Sequence, residues 1–191
     1  MTSPFHISSS IRRHISLVFT ICAAFLGVLL TTASVLAPQP HRKMTVSSTG
    51  FRDGQPIPRQ YTCDGQNISP VVAWSGAPSQ TASLVLIVDD PDAPSGVWTH
   101  WVVFDLPPSA TELPENAASV AGGKQGLNDF KKAGYNGPCP PAGKVHRYFF
   151  RIFALDTMLN LPAGATRKAV ESAMNKHILA QGQLMGTYER K

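Results

Sequence analysis

The chain has 191 residues, with 17 Lys and Arg against 12 Asp and Glu and a formal net charge of +5. That length suggests one domain. The basic residues are scattered rather than gathered on one element, and the excess is too mild for a nucleic-acid footprint, so nucleic acid is excluded as a partner.

The first segment does not read as domain material. Arg12, Arg13 and His14 form a basic stretch, residues 15–30 are apolar and uncharged, and residues 31–37 are small and apolar. This is the three-part pattern of a secretory signal peptide, with cleavage after Ala33 or Ala37. Pro38 disfavours the second of these. The uncharged run of residues 15–37 is also long enough to span a bilayer, so an uncleaved membrane anchor facing outward is the alternative. A start at Met44, with the upstream residues a misassigned extension, is a third. The division is residues 1–37 as leader or anchor and 38–191 as domain, placed in the periplasm or secreted. Loss of the leader leaves 15 basic against 12 acidic residues. Arg12-Arg13 fits a twin-arginine export signal only loosely. Cys22 lies in the apolar run, where "FTIC" lacks the small residue that precedes a lipidated cysteine. Cys63 and Cys139 remain, and an even count in an exported protein permits a disulfide, with two buried thiols as the alternative.

From Met44 onward, short runs rich in Val, Ile, Phe, Tyr and Trp predict strands over 45–48, 71–74, 83–89, 99–106, 147–154 and 184–188. Sixteen prolines and fifteen glycines punctuate the chain. "SLVLIVDD" and "HRYFFRIFALD" are nearly continuous apolar runs, which predicts central strands buried on both faces. One helix is predicted, capped by Thr166 and stopped by Gly182, with Val170, Met174, His177, Ile178 and Gln181 on one side. His177 on that face reads as a core histidine. Residues 112–132 show little periodicity and read as a long surface loop with function or mobility. The pattern is mostly strand, which predicts a mostly β domain, a sandwich with one or two peripheral helices.

Two segments carry chemistry. In "VDDPDAP", Asp90 and Asp92 leave a buried strand with Pro91 between them and Pro94 behind, so proline holds both carboxylates in a set geometry. His100 opens the next strand. If the two strands are neighbours, His100 reaches the aspartates, which would fix its tautomer and aim its other nitrogen into a pocket. The second segment is "GYNGPCPPAGKVHRYFF". Its Gly and Pro residues make a rigid loop whose backbone N–H groups can form an anion-binding concavity. The loop leads into His146, Arg147 and Tyr148. His146 and Tyr148 share one strand face, and Arg147 points the other way as a structural residue.

Together these segments resemble the phosphatidylethanolamine-binding protein family, most of all its bacterial Raf-kinase-inhibitor-like branch. Asp90, Pro91, Asp92, Ala93, Pro94 and His100 match its first motif. Gly137, Pro140, Pro141, His146, Arg147 and Tyr148 match its second. "CDGQNISP" and the ending "LAQGQLMGTYER" also resemble that branch. The resemblance covers the chain from about Met44. It implies a β-sandwich with an anion pocket at one end of the central sheet, lined by Asp90, Asp92, His100, His146 and Tyr148. The loop Gly137, Pro140 and Pro141 would form its rim, and Trp98 a wall. Eukaryotic members carry a further helix beside the pocket. This chain ends soon after its last predicted strand, which implies a more open pocket. Kinase inhibition does not carry over to an exported protein.

The function this implies is non-enzymatic binding of a phosphorylated small molecule or a phospholipid head group, with protein partners engaged through the same pocket and no cofactor. Loop amides, Tyr148 and protonated His146 would donate to phosphate oxygens. Asp90 and Asp92 would accept from an ammonium or from the histidines. The competing readings are protease or kinase inhibition through surface loops such as 112–132, a hydrolase using a His–Asp base pair, and a metal site of two Asp and two His. A hydrolase lacks a recognisable serine elbow, and Cys139 is flanked by prolines rather than a base.

Overall fold

Strand β4 (Ser83–Asp90) is buried at all eight positions, and the architecture is built around it. In the computed structural model, which describes residues 42–191, β4 lies between β5 (Trp98–Leu106) and β8 (Val145–Leu155), antiparallel to both. The short β7 (Lys124–Gln125) flanks β5. β9 (Ile178–Glu189) and β1 (Arg42–Lys43) follow on the other side of β8, giving a six-stranded sheet of order β1-β9-β8-β4-β5-β7. A second sheet of β2 (Thr45–Ser47), β3 (Val72–Ser75) and β6 (Glu112–Leu113) packs on one face of the first. Leu84, Leu86, Val88, Trp101, Phe150 and Ile152 fill the space between the sheets with Val46, Val72, Trp74 and Leu113. On the other face, Val85, Ile87, Val102 and Phe104 pack against Val170 and Met174 of helix α1 (Arg167–Met174). The domain is a mostly β sandwich, as the strand pattern predicts. The two-face burial of β4 explains its unbroken apolar run.

β8 departs from its prediction. It is central in the sheet order, yet its burial alternates, with Tyr148, Phe150 and Ile152 inward and Arg147, Phe149, Arg151 and Phe153 on the half-exposed face. Its aromatic content hides a period of two.

The helix also differs. Thr166 caps it as predicted, its hydroxyl accepting from Ala169 N at 3.3 Å. It ends at Met174, however, and Lys176 turns left-handed at φ 69° before the chain becomes β9. Residues 178–181, expected on the helix, pair with β8 instead. Gly182 lies within β9 and stops no helix. A Cβ there would collide with the Met44 carbonyl, because β1 and the segment after it lie against this strand. His177 is half exposed and its Nδ1 hydrogen-bonds Asp156 Oδ1 at 2.7 Å, so it is no core histidine.

Residues 112–132 are built into the fold rather than forming a free loop. β6 joins the small sheet, β7 joins the large one, and Leu113, Val120 and Asn128 are buried. The basic and apolar stretch of residues 12–37 lies outside the described residues. Among the described residues, no helix is long and apolar enough to cross a membrane.

A disulfide joins Cys63 to Cys139 across 76 residues. Closing a loop of that size in the unfolded chain contributes about 4 kcal/mol in the chain-entropy model. We expect Cys63→Ser/Cys139→Ser protein to unfold at a clearly lower urea concentration than oxidised wild type. Coincident transitions, or two freely alkylated thiols in unreduced protein, would contradict the bridge.

Candidate functional site

The cleft lies where β4, β5 and β8 end on the inter-sheet side. Its position follows from register. Asp90 pairs directly with Trp98. Val88 pairs with Trp101 and Asp89 with Thr99, so His100 is an extra residue in β5 and forms a bulge. Strict alternation would set His100 and Trp101 on opposite faces. The bulge brings Trp98 and His100, which alternation sets on one face, to the inter-sheet side with Trp101, and the His100 ring meets Tyr148 edge-on at 5.2 Å. On β8, alternation sets His146 and Tyr148 on the same inward face.

The cleft has a volume of about 460 Å³. Asp90, Trp98, His100, Pro140, Pro141 and His146 line it, as the motifs predict. The hydrogen bonds differ from expectation. His146, not His100, takes the Asp90 carboxylate: Nδ1 donates to Oδ2 at 2.7 Å, with both side chains almost fully buried. The other Asp90 oxygen accepts from Asp92 N at 2.8 Å, so the proline-bounded bend locks its own carboxylate. The ring nitrogen of His146 left for a ligand is Nε2. His100 Nδ1 donates to the Asn136 carbonyl at 2.6 Å, and Asn136 N donates back to the His100 carbonyl at 3.0 Å. A carbonyl only accepts, so Nδ1 carries the proton and neutral His100 presents Nε2 as an acceptor.

Four predicted residues stand outside the cleft wall. Pro91 turns the chain behind Asp90 without lining the cleft. Asp92 is held by Arg147, accepting from its backbone N at 3.0 Å, Nε at 2.8 Å and a terminal nitrogen at 2.7 Å. The Arg147 hydrogen bond pulls the Asp92 carboxyl down to about 2. Tyr148 is buried beneath the site. Its hydroxyl has no partner among the described residues, and burial and then the Asp90 charge push its phenol well above the ordinary range. Gly137 is behind the rim, where a Cβ would collide with the Tyr61 carbonyl. Its N–H donates to Asn67 Oδ1 at 2.7 Å. With Asn136 N also engaged and residues 138, 140 and 141 prolines, the expected concavity of free amides is not formed. Within residues 136–141, only Cys139 has an N–H outside these bonds.

Sequence reasoning missed Phe130 and Arg190, which also line the cleft. Phe130 packs edge-on to both Trp98 at 5.6 Å and His100 at 5.4 Å. It is held there because Asp129 Oδ2 accepts from Thr99 N at 2.7 Å and Asn128 donates to the Gly134 carbonyl at 3.0 Å. An aromatic residue directly after Asn-Asp, inside a glycine-rich loop, was the available signal. Trp98 Nε1 is buried with no acceptor among the described residues. No group of three or more His, Cys, Asp and Glu side chains is arranged as metal ligands among the described residues.

A β-sandwich with a His–Asp pair in a cleft at one end of its larger sheet defines the class of protein. The family model "Phosphatidylethanolamine-binding protein" matches residues 47–189. A UPF0098 protein of Methanothermobacter thermautotrophicus is 52% identical over 151 residues, covering 77% of this chain and 99% of that one. A UPF0098 protein of Aquifex aeolicus is 53% identical over 152 residues, covering 77% and 89%. Among solved structures, a putative phosphatidylethanolamine-binding protein homologue from Chlamydia trachomatis superposes with TM-score 0.73 at 42% identity, covering 78% of this chain and 99% of that one. YbcL of Escherichia coli, described as a new member of the mammalian family, gives TM-score 0.73 at 34% identity with the same coverage. This chain belongs to the phosphatidylethanolamine-binding protein family.

Burial pushes the His100 imidazole below its ordinary value, against the opposing pull of the Asn136 carbonyl and Asp90. The unfolded chain therefore takes up this proton first. Stability from His100 is complete above about pH 6.5 and is lost as pH falls from there toward the lower folded value. In His100→Gln, the fall in urea midpoint between about pH 7 and pH 5 should be smaller than in wild type. An equal fall in both proteins would show that His100 does not carry this sensitivity.

Proposed function

We propose that the cleft binds the phosphate of a small phosphorylated molecule or a phospholipid head group, and that the protein acts by binding rather than by catalysis. The observation that carries this reading is the buried Asp90–His146 pair at the cleft. As an imidazolium, His146 donates through Nε2 to a phosphate oxygen while Asp90 balances its charge. The family name and the E. coli and Chlamydia relatives point the same way. Cys139, the cleft's sulfur nucleophile, is held in the disulfide, and Ser95 makes no hydrogen bond to either histidine, which favours binding over turnover.

His146→Ala should weaken phosphoethanolamine binding by about tenfold, the loss of one charge-assisted hydrogen bond at a desolvated site. Asp90→Asn should weaken it too, by releasing the His146 ring. Titration calorimetry with matched melting curves reads both. Unchanged affinity in both folded variants would overturn the assignment, as would turnover of a phosphomonoester by purified protein.

We also propose that the protein is exported, as the leader pattern of residues 1–37 and the Cys63–Cys139 bridge support, since disulfides persist in oxidising compartments. N-terminal sequencing of envelope-fraction protein should give a start near residue 34 or 38. An intact cytosolic species beginning at Met44 would refute export.

A further inference from the structure

The carboxylate oxygens around the cleft all have donors. Asp90 is engaged by His146 Nδ1 and Asp92 N, and Asp92 by Arg147. Asp64, near the cleft mouth, accepts from Tyr188 OH at 2.8 Å and from Arg190 Nε at 3.1 Å. His100 Nε2, an acceptor, also lines the cleft. Arg190 lines the cleft and uses Nε on Asp64, while its two terminal nitrogens make no hydrogen bond among the described residues. The Arg190 backbone is anchored as well. Its carbonyl accepts from Gly143 N at 2.9 Å, in the turn that precedes β8. Two contacts thus hold a side chain that is otherwise half exposed.

We propose that Arg190, positioned by Asp64, makes this cleft select doubly charged phosphomonoesters over phosphodiesters. The proposal rests on the phosphate reading of the cleft. A guanidinium is a fixed fork of donors that suits phosphate oxygens. A monoester has three terminal oxygens and carries close to two negative charges above about pH 6. Those oxygens can be shared between His146 Nε2 and Arg190. A diester has two terminal oxygens and one charge, and its second substituent occupies the place of the third oxygen. A phospholipid head group is such a diester. The cleft is therefore better matched to a soluble phosphate ester than to an intact lipid.

Calorimetry at about pH 8, above the second phosphate ionisation, with three probes tests this. Ethyl phosphate is a monoester without ammonium, phosphoethanolamine a monoester with it, and glycerophosphoethanolamine a diester with it. In wild type both monoesters should bind about tenfold more tightly than the diester. Arg190→Gln should weaken both monoesters by about tenfold and the diester little, which collapses the preference. Arg190→Lys, which keeps the charge but not the fork, should fall between. An unchanged monoester-to-diester ratio in Arg190→Gln would overturn the proposal, and so would a diester that binds wild type as tightly as the monoesters. A different result marks failure of the underlying reading. In that case no probe binds wild type, or His146→Ala alters none of the affinities.

Discussion

A strand buried on both faces that ends in two carboxylates imposes a demand that the rest of this domain answers. Asp89 and Asp90 close β4 on opposite sides of the sheet, and neither can be left unpaired. Breaking a buried ion pair costs about 3–5 kcal/mol, because an uncompensated charge remains in low dielectric. Asp89 is fully buried and takes Arg151 from β8 and Arg167 from the first turn of α1, the latter at 3.1 Å. Burial still holds its carboxyl above the ordinary value despite both arginines. Charge as well as apolar packing therefore ties the helix to the sheet. Asp90 faces the small sheet and takes His146. One answer builds a structural clamp. The other leaves an imidazole nitrogen at an open cleft, and that is where the recognisable chemistry lies.

The rim is organised by the segment around the short 3-10 turn Arg59–Tyr61 rather than by its own glycines. The Tyr61 carbonyl accepts from Tyr135 OH at 2.8 Å, and its hydroxyl donates to Glu115 at 2.6 Å. Cys63 N donates to the Pro138 carbonyl at 3.0 Å, and the disulfide links the same two stretches covalently. Asn136, in the same loop, exchanges hydrogen bonds with His100. The rim and the bulged histidine are thus one unit. The prolines stiffen the loop but remove donors, so the cleft draws its donors from side chains. Asp64 sits beside Cys63 and carries the anchoring of the rim over to Arg190.

Much of the architecture was legible because its signals are local. β4 reads as central from an apolar run bounded by turn residues, and Thr166 reads as a cap from its side chain. Asp90, Trp98, His100, Pro140, Pro141 and His146 read as cleft residues from two motifs. The failures share one cause. Residues 178–181 fit a helical face, yet pairing along the whole of β8 outweighs that weak local preference. Residues 112–132 look structureless because two-residue strands leave no periodicity to read.

The sequence by itself determined the strand content, the covalent stiffness of both motif segments and the chemical types gathered at the cleft. These follow from side-chain shape, backbone restriction and period-two alternation within a few residues. Which partner each group meets was decided only in three dimensions. Asp90 and His146 are 56 residues apart, and their bond exists because β4 and β8 are sheet neighbours. The aim of His100 depends on one unpaired residue in β5, which no pattern of alternation announces. Asp92 was diverted to Arg147, and Arg190 was drawn to the cleft mouth by Asp64, through contacts that span 55 and 126 residues. Ion pairs form between charges that the fold brings together, and separation along the chain says nothing about that.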